Sequence, residues 1–306
     1  MRMLLTDFLK EGISSLERLY STAESRSIML MLCEAKIGTK SYTHIVEPED
    51  QISASQEALL RENLERLSKG EPIQYVIGKA EFCGFEFKVG PDVLIPRPET
   101  ELMCREAISI CSRISRMRGA YGKKAAPVKV LDLCTGSGCI AWTVALSVPG
   151  VVVTGVDISE GALKIASSQN FQSVLKETGA VAPTFKKADI LDRDTEFTNE
   201  KYDVIISNPP YIMESEKPLL RANVLEFEPH MALFVPDEDP LVFYRAIADW
   251  SERFLAPEGK GLTEINEVLG KETFTVFKEA GFVNLDIVKD FYDKNRFIFY
   301  SKSKSQ

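Results

Sequence analysis

The apolar and polar positions of the chain change rhythm twice. Up to about Gly78 they keep a helical period. Ser53-Ala-Ser-Gln56 has the spacing of a capping box, after which Leu59, Leu60, Leu64 and Leu67 recur at helical intervals. Glu57 with Arg61, and Glu62 with Arg66, set an acid four residues before a base, the favourable order on a helix surface. Gly70 and Pro72 end that helix. A second long helical pattern covers Leu16 to Ile37. Its Met29-Leu-Met-Leu32 run reads as core packing in a small bundle rather than as a cofactor box.

At Phe82 the rhythm becomes that of strands. Phe85, Phe87 and Val89 alternate with Glu86 and Lys88, and Gly90-Pro-Asp92 predicts a turn into Val93-Leu-Ile95, a hairpin. From Val128 strand and helix alternate, with strands predicted over Val128–Leu133, Val151–Val156, Thr184–Ala188, Tyr202–Ser207 and Gly261–Ile265. This predicts a parallel sheet covered on both faces. Asn284–Val288 and Arg296–Tyr300 stand only seven residues apart, too few for a parallel crossover, so they predict an antiparallel pair.

Length and composition narrow the class. At 306 residues the chain is long enough for about two domains, and 44% apolar content is ordinary for packed cores. A net charge of -8 argues against an affinity built on neutralising many phosphates. The locally basic stretch from Arg105 to Lys124 reads as a solvated helix face and loop rather than a contact patch. Cys33, Cys83, Cys104, Cys111, Cys134 and Cys139 form no CxxC pair, and only His44 and His230 could join them, so no metal site is expected. Scattered thiols suit a reducing compartment. With no signal-peptide core and no apolar run of spanning length, a soluble cytoplasmic protein is expected.

The predicted strand Val128–Leu133 runs into Cys134-Thr-Gly-Ser-Gly138, a glycine-containing turn before a helix from about Cys139. Ligands bind beyond the carboxyl ends of such strands, and Gly136 and Gly138 allow a sharp turn and close backbone approach. A nicotinamide fingerprint is permitted loosely by Ala141, while the Gly-Lys-Ser/Thr of a P-loop is absent. Asp157 ends the second strand, where a carboxylate can accept both hydroxyls of a ribose. Asp189 follows the third strand and could reach an adenine amino group, with Ile190 against the ring. Asp132 would be awkward beside a phosphate and welcome beside a sulfonium. Together these aspartates favour S-adenosylmethionine over NAD.

After the fourth strand stands Ser207-Asn-Pro-Pro-Tyr211. At that position it suits methylation of a planar nitrogen, in a carboxamide or an exocyclic ring amine. The Asn208 side-chain oxygen can accept one N–H of the NH2 group and the Pro209 carbonyl the other. Pro210 lacks a competing N–H and holds Pro209 extended. Both acceptors strengthen as positive charge builds on the nitrogen, so the stabilisation belongs to the transition state. Tyr211 can stack on the flat amide or face the cation.

Ile95-Pro-Arg-Pro-Glu-Thr-Glu101, Leu131-Asp-Leu-Cys-Thr-Gly-Ser-Gly138, Ser207-Asn-Pro-Pro-Tyr-Ile212 and Glu228-Pro-His-Met-Ala-Leu-Phe234 occur in this order. The chain therefore resembles the bacterial PrmC/HemK family of release factor glutamine methyltransferases, across essentially its whole length. That resemblance implies an α/β Rossmann-like S-adenosylmethionine-dependent methyltransferase domain over 97–306, a β-hairpin linker over 79–96, and a helical substrate-docking domain over 1–78. It implies methylation of the side-chain amide nitrogen of the glutamine in the Gly-Gly-Gln loop of class 1 peptide chain release factors. Cys134, Thr135, Gly136, Ser137, Gly138, Asp157, Asp189, Ile190 and Asn208 would contact the cofactor, and Asn208, Pro209, Pro210 and Tyr211 would hold the glutamine and carry the chemistry. Cys134 and Asn266 stand where glycine is usual in the family. A monomer without membrane or nucleic-acid partners is expected. The rival readings are a methyltransferase acting on a flipped nucleic-acid base and a non-catalytic module that kept the fold.

Overall fold

A computed structural model describes residues 3–119 and 126–303. The chain opens with α1 (Leu5–Leu16), α2 (Thr22–Ile37), α3 (Thr43–Val46), α4 (Ala54–Ser68) and α5 (Ile73–Ile77), then β1 (Lys79–Phe82) and β2 (Phe85–Lys88). The long helix α6 (Pro98–Gly119) precedes β3 (Val128–Leu133), α7 (Cys139–Ser147), β4 (Val151–Asp157), α8 (Glu160–Ser167) and α9 (Gln172–Thr178). Next come β5 (Thr184–Lys187), β6 (Tyr202–Ser207), β7 (Ile212–Met213), α10 (Ala222–Phe227) and β8 (Phe234–Val235). The remainder is α11 (Val242–Phe254), β9 (Leu255–Glu264), α12 (Gly270–Glu279), β10 (Val283–Lys289) and β11 (Asn295–Ser301). Among the described residues no helix is long and apolar enough to cross a membrane.

The chain forms two compact units: Met1–Lys79 with Leu220–Phe227, and Ala80–Leu219 with Glu228–Gln306. The first is helical. Its capping box is complete, with Gln56 N–H donating to Ser53 Oγ at 3.2 Å and Ser53 N–H to Gln56 Oε1 at 2.8 Å. Arg61 meets Glu57 as expected, whereas Arg66 turns forward to Glu71 rather than back to Glu62. The pattern beginning at Leu16 belongs to two helices, because Ser21 accepts the Glu24 N–H and starts α2 afresh. Helices α1 and α2 approach closely: a Cβ on Gly12 would lie 2.2 Å from Met29 Cε. Phe8, Leu16, Met29, Leu32, Leu60 and Leu67 fill the core, and Met31 is largely outside it. The later segment adds Arg221, paired with Glu24 at 2.7 Å, and Phe227, whose ring lies beside Gly70.

The second unit is a seven-stranded sheet in the order β10-β11-β9-β6-β3-β4-β5. Strands β9, β6, β3, β4 and β5 run parallel, and β10 and β11 form the expected antiparallel pair at one edge. Apolar clusters cover the sheet, one holding α6 and α7 residues and the other α11 and α12 residues. The early hairpin turns seven residues before its predicted place: β1 and β2 turn at Cys83-Gly84, both with positive φ. Val93-Leu-Ile95 pairs with no strand: Val93 and Leu94 line a cavity, and the Ile95 N–H is taken by a side chain. On α6, Arg105, Arg113 and Arg118 are spent on Glu101, Glu106 and Asp203. Lys123 and Lys124 of the basic stretch lie outside the described residues.

Candidate active site

The strands that feed the site end level with one another. Leu133 is paired with Val156 on one side and Ser207 on the other, and Ser207 is paired with Thr263. The residue after each of these is Cys134, Asp157, Asn208 or Glu264, so four functional side groups leave the sheet at one edge. Order reverses around β3, whose neighbours are β6 and β4, and this is the crevice position expected of a nucleotide-like ligand. Ser207 Oγ donates to the Leu133 carbonyl at 2.9 Å and ties two of these ends together.

A cavity of about 260 Å³ opens there. Of the residues predicted to contact a cofactor, Cys134, Thr135, Gly136, Ser137, Asp157, Asp189, Ile190 and Asn208 line it, and so does Pro210. Gly138, Pro209 and Tyr211 are outside the lining. Gly138 instead has φ +76° and a Cβ there would come within 3.0 Å of Ala166 and Phe185, so glycine serves helix–strand packing. Gly136, with φ +54°, faces open space where its Cβ would stand. Cys134 adopts φ +59° without being glycine.

Asp157 accepts Gly136 N–H on Oδ2 and Ser159 N–H on Oδ1, both at 2.9 Å. Burial raises its pKa, and these backbone donors pull it back. Each carboxylate oxygen keeps a further lone pair, so the group is held in place and still able to accept two hydroxyls of a ribose. Ala188, Ile190, Ile140, Val156 and Ile158 add apolar lining to the cavity, as a flat ring requires. These residues fit S-adenosylmethionine. Asp132 is fully buried behind the turn, taking the Thr135 hydroxyl at 2.6 Å, and burial pushes its pKa up to about 7.

Asn208 leaves the end of β6 half-buried, and its Nδ2 donates to Thr100 Oγ1 at 3.1 Å. The Thr100 hydroxyl donates in turn to Glu264 Oε2 at 2.7 Å, and the Tyr211 hydroxyl donates to Glu264 Oε1 at 2.8 Å. Thr100 and Glu264 are buried. Asn266 Nδ2 reaches the Tyr211 carbonyl at 3.1 Å and Glu216 at 2.8 Å. Asn266 thus fastens the Asn-Pro-Pro-Tyr segment.

Residues 91–94, 96 and 97 also line the cavity. Glu228 holds this wall: its buried carboxylate accepts Ile95 N–H at 3.1 Å and pairs with Arg97 at 2.6 Å. Unpairing a buried charge of this kind typically costs ~3–5 kcal/mol. Sequence reasoning gave no role to Glu228, Thr100 or Glu264. The available signals were a carboxylate at the end of an apolar parallel strand and a threonine inside the Pro96–Glu101 motif.

Two family models match the chain, one described as the PrmC N-terminal domain over residues 7–78 and one as a methyltransferase domain over residues 124–281. A release factor glutamine methyltransferase of Bacteroides thetaiotaomicron is 37% identical over 284 residues, spanning 93% of this chain and 95% of that protein. Its counterpart in Flavobacterium psychrophilum is 36% identical over 296 residues, spanning 97% and 98%. Among solved structures, the release factor-specific protein-(glutamine-N5) methyltransferase from Alicyclobacillus acidocaldarius is 29% identical and covers 71% of this chain and 99% of that one, with a TM-score of 0.39.

Proposed function

The chain belongs to the release factor glutamine methyltransferase family, and from that premise we propose how its own residues perform the reaction. It methylates the side-chain amide nitrogen of the glutamine in the Gly-Gly-Gln loop of class 1 peptide chain release factors. S-adenosylmethionine supplies an electrophilic methyl group on a sulfonium.

The observation that supports the site assignment is the direction of the Asn208 amide. Its NH2 end is committed to Thr100, which leaves Oδ1 as an acceptor on a residue that lines the cavity. A glutamine NH2 group can donate there and to the Pro209 carbonyl, to which no described residue donates. Held so, the nitrogen lone pair is directed at the incoming carbon, and positioning of this kind is worth up to ~7–11 kcal/mol. Both acceptors gain strength as the nitrogen becomes cationic. The methylated amide then loses a proton to water, so no general base is required.

The helical unit grips the release factor, Asp157 and the glycine turn bind the cofactor, and the enzyme works as a cytoplasmic monomer that does not use nucleic acid. Incubation with methyl-labelled S-adenosylmethionine is expected to label the glutamine of a purified class 1 release factor. Transfer of label to DNA or ribosomal RNA instead would reverse the substrate assignment.

A further inference from the structure

We infer that Thr100 and Glu264 are positioning residues: a hydrogen-bond relay from the buried Glu264 carboxylate through the Thr100 hydroxyl sets which end of the Asn208 amide meets the substrate. This rests on the proposed role of Asn208 Oδ1 as acceptor.

The relay has a sense that follows from counting protons. A hydroxyl has one hydrogen, and Thr100 gives its own to Glu264 Oε2 at 2.7 Å. Toward Asn208 the Thr100 oxygen can therefore only accept, and the Asn208 NH2 group donates to it at 3.1 Å. Oδ1 must then point the other way. Tyr211 supplies a second donor to Glu264 at 2.8 Å, so an ionised Glu264 accepts from two hydroxyls and offers no hydrogen of its own. The residues of this chain come from α6, the end of β6 and the end of β9, and they converge from positions 108 and 164 residues apart.

Protonating Glu264 reverses the sense. The carboxylic acid would donate to Thr100, freeing the threonine hydrogen to point at Asn208, and the amide would turn to offer its oxygen to Thr100. The substrate NH2 group would then face another NH2 group. Burial raises the Glu264 pKa above its ordinary range, while Thr100, Tyr211 and the Arg296 charge from β11 oppose this. Glu99 on α6 adds a like charge, and Tyr244 from α11 and Glu216 also face the cluster around Tyr211. The relay is lost as pH falls through the raised Glu264 value.

The test compares Thr100→Ser, Thr100→Val and Glu264→Gln with wild type and with Asn208→Ala, at saturating cofactor and release factor. Thr100→Ser keeps the hydroxyl and should retain kcat within about twofold. Thr100→Val removes it, and Glu264→Gln lets an amide N–H drive the relay backwards; each should lower kcat by about tenfold or more. Cofactor affinity by calorimetry should change little. Wild-type kcat should show an acid limb that is missing in Glu264→Gln. A folded Thr100→Val or Glu264→Gln enzyme with wild-type kcat would overturn the relay, and so would parallel loss of kcat and cofactor affinity. Should neither variant fold, a wild-type kcat without an acid limb overturns it. If Asn208→Ala itself kept full turnover, the assignment of Asn208 would fail, and the relay with it.

Discussion

The two ends of the cavity are built in opposite ways. At the cofactor end the contacts of the two aspartates are short-range in sequence: Asp132 to Thr135, Asp157 to Ser159, and Asp157 to Gly136 only 21 residues away. Backbone N–H groups do most of the holding, so the geometry follows once β3, its turn and β4 have formed. At the amide end the contacts run side chain to side chain across 53, 108 and 164 residues. That geometry exists only when α6, β6 and β9 are already packed. The first end is a local device and the second a product of the whole sheet.

If this contrast holds, substitutions at the two ends should separate chemistry from binding. The largest effect is expected at the amide end. Asn208→Ala should lower kcat by about 10²–10³-fold, the scale seen when one transition-state hydrogen-bonding group is removed, with a much smaller change in cofactor affinity. An equal fall in both would place Asn208 chiefly with the cofactor and blur the division. Next in size, Asp157→Ala should weaken cofactor binding by about 10–100-fold, or roughly 1.4–2.7 kcal/mol. Turnover at saturating cofactor should stay within about threefold of wild type, measured by titration calorimetry beside steady-state kinetics.

The smallest effect is one of stability. Asp132 holds its proton up to about 7 in the folded protein, whereas an unfolded aspartate loses it near ~4. Its contribution to stability is thus greatest below the unfolded value and declines as pH rises toward 7. Asp132→Asn should therefore gain in melting temperature on wild type as pH rises from 5 to 8, in step with the loss of the protonated state. The reverse trend would show that Asp132 is stabilised as an anion.

The same contrast explains what could be read before the fold was known. The glycine turn, Asp157 and the Asp189-Ile190 pair are legible because a strand, a turn and a strand end suffice to place them. The parallel sheet and its antiparallel edge were legible from spacing alone. The Glu264–Thr100 pair was not, since a 164-residue separation leaves no periodic trace. The hairpin was misplaced because Phe85, Phe87 and Val89 mark a strand without saying which side its partner lies on. Positive φ at Cys83 and Gly84 put the turn before them. Leu16 to Ile37 read as one helix because apolar periodicity passes over a cap, and only the Ser21–Glu24 bond reveals the break.

The membership of Leu220–Phe227 in the helical unit also bears on how the protein is born. Synthesis proceeds from the amino end and domains tend to fold as they emerge. Helices α1 to α5 leave the ribosome first, yet Arg221 and Phe227 follow only after about 140 more residues. The nascent bundle must therefore wait, with Glu24 unpaired and the surface beside Gly70 uncovered, until translation has passed the entire Asn208–Tyr211 segment.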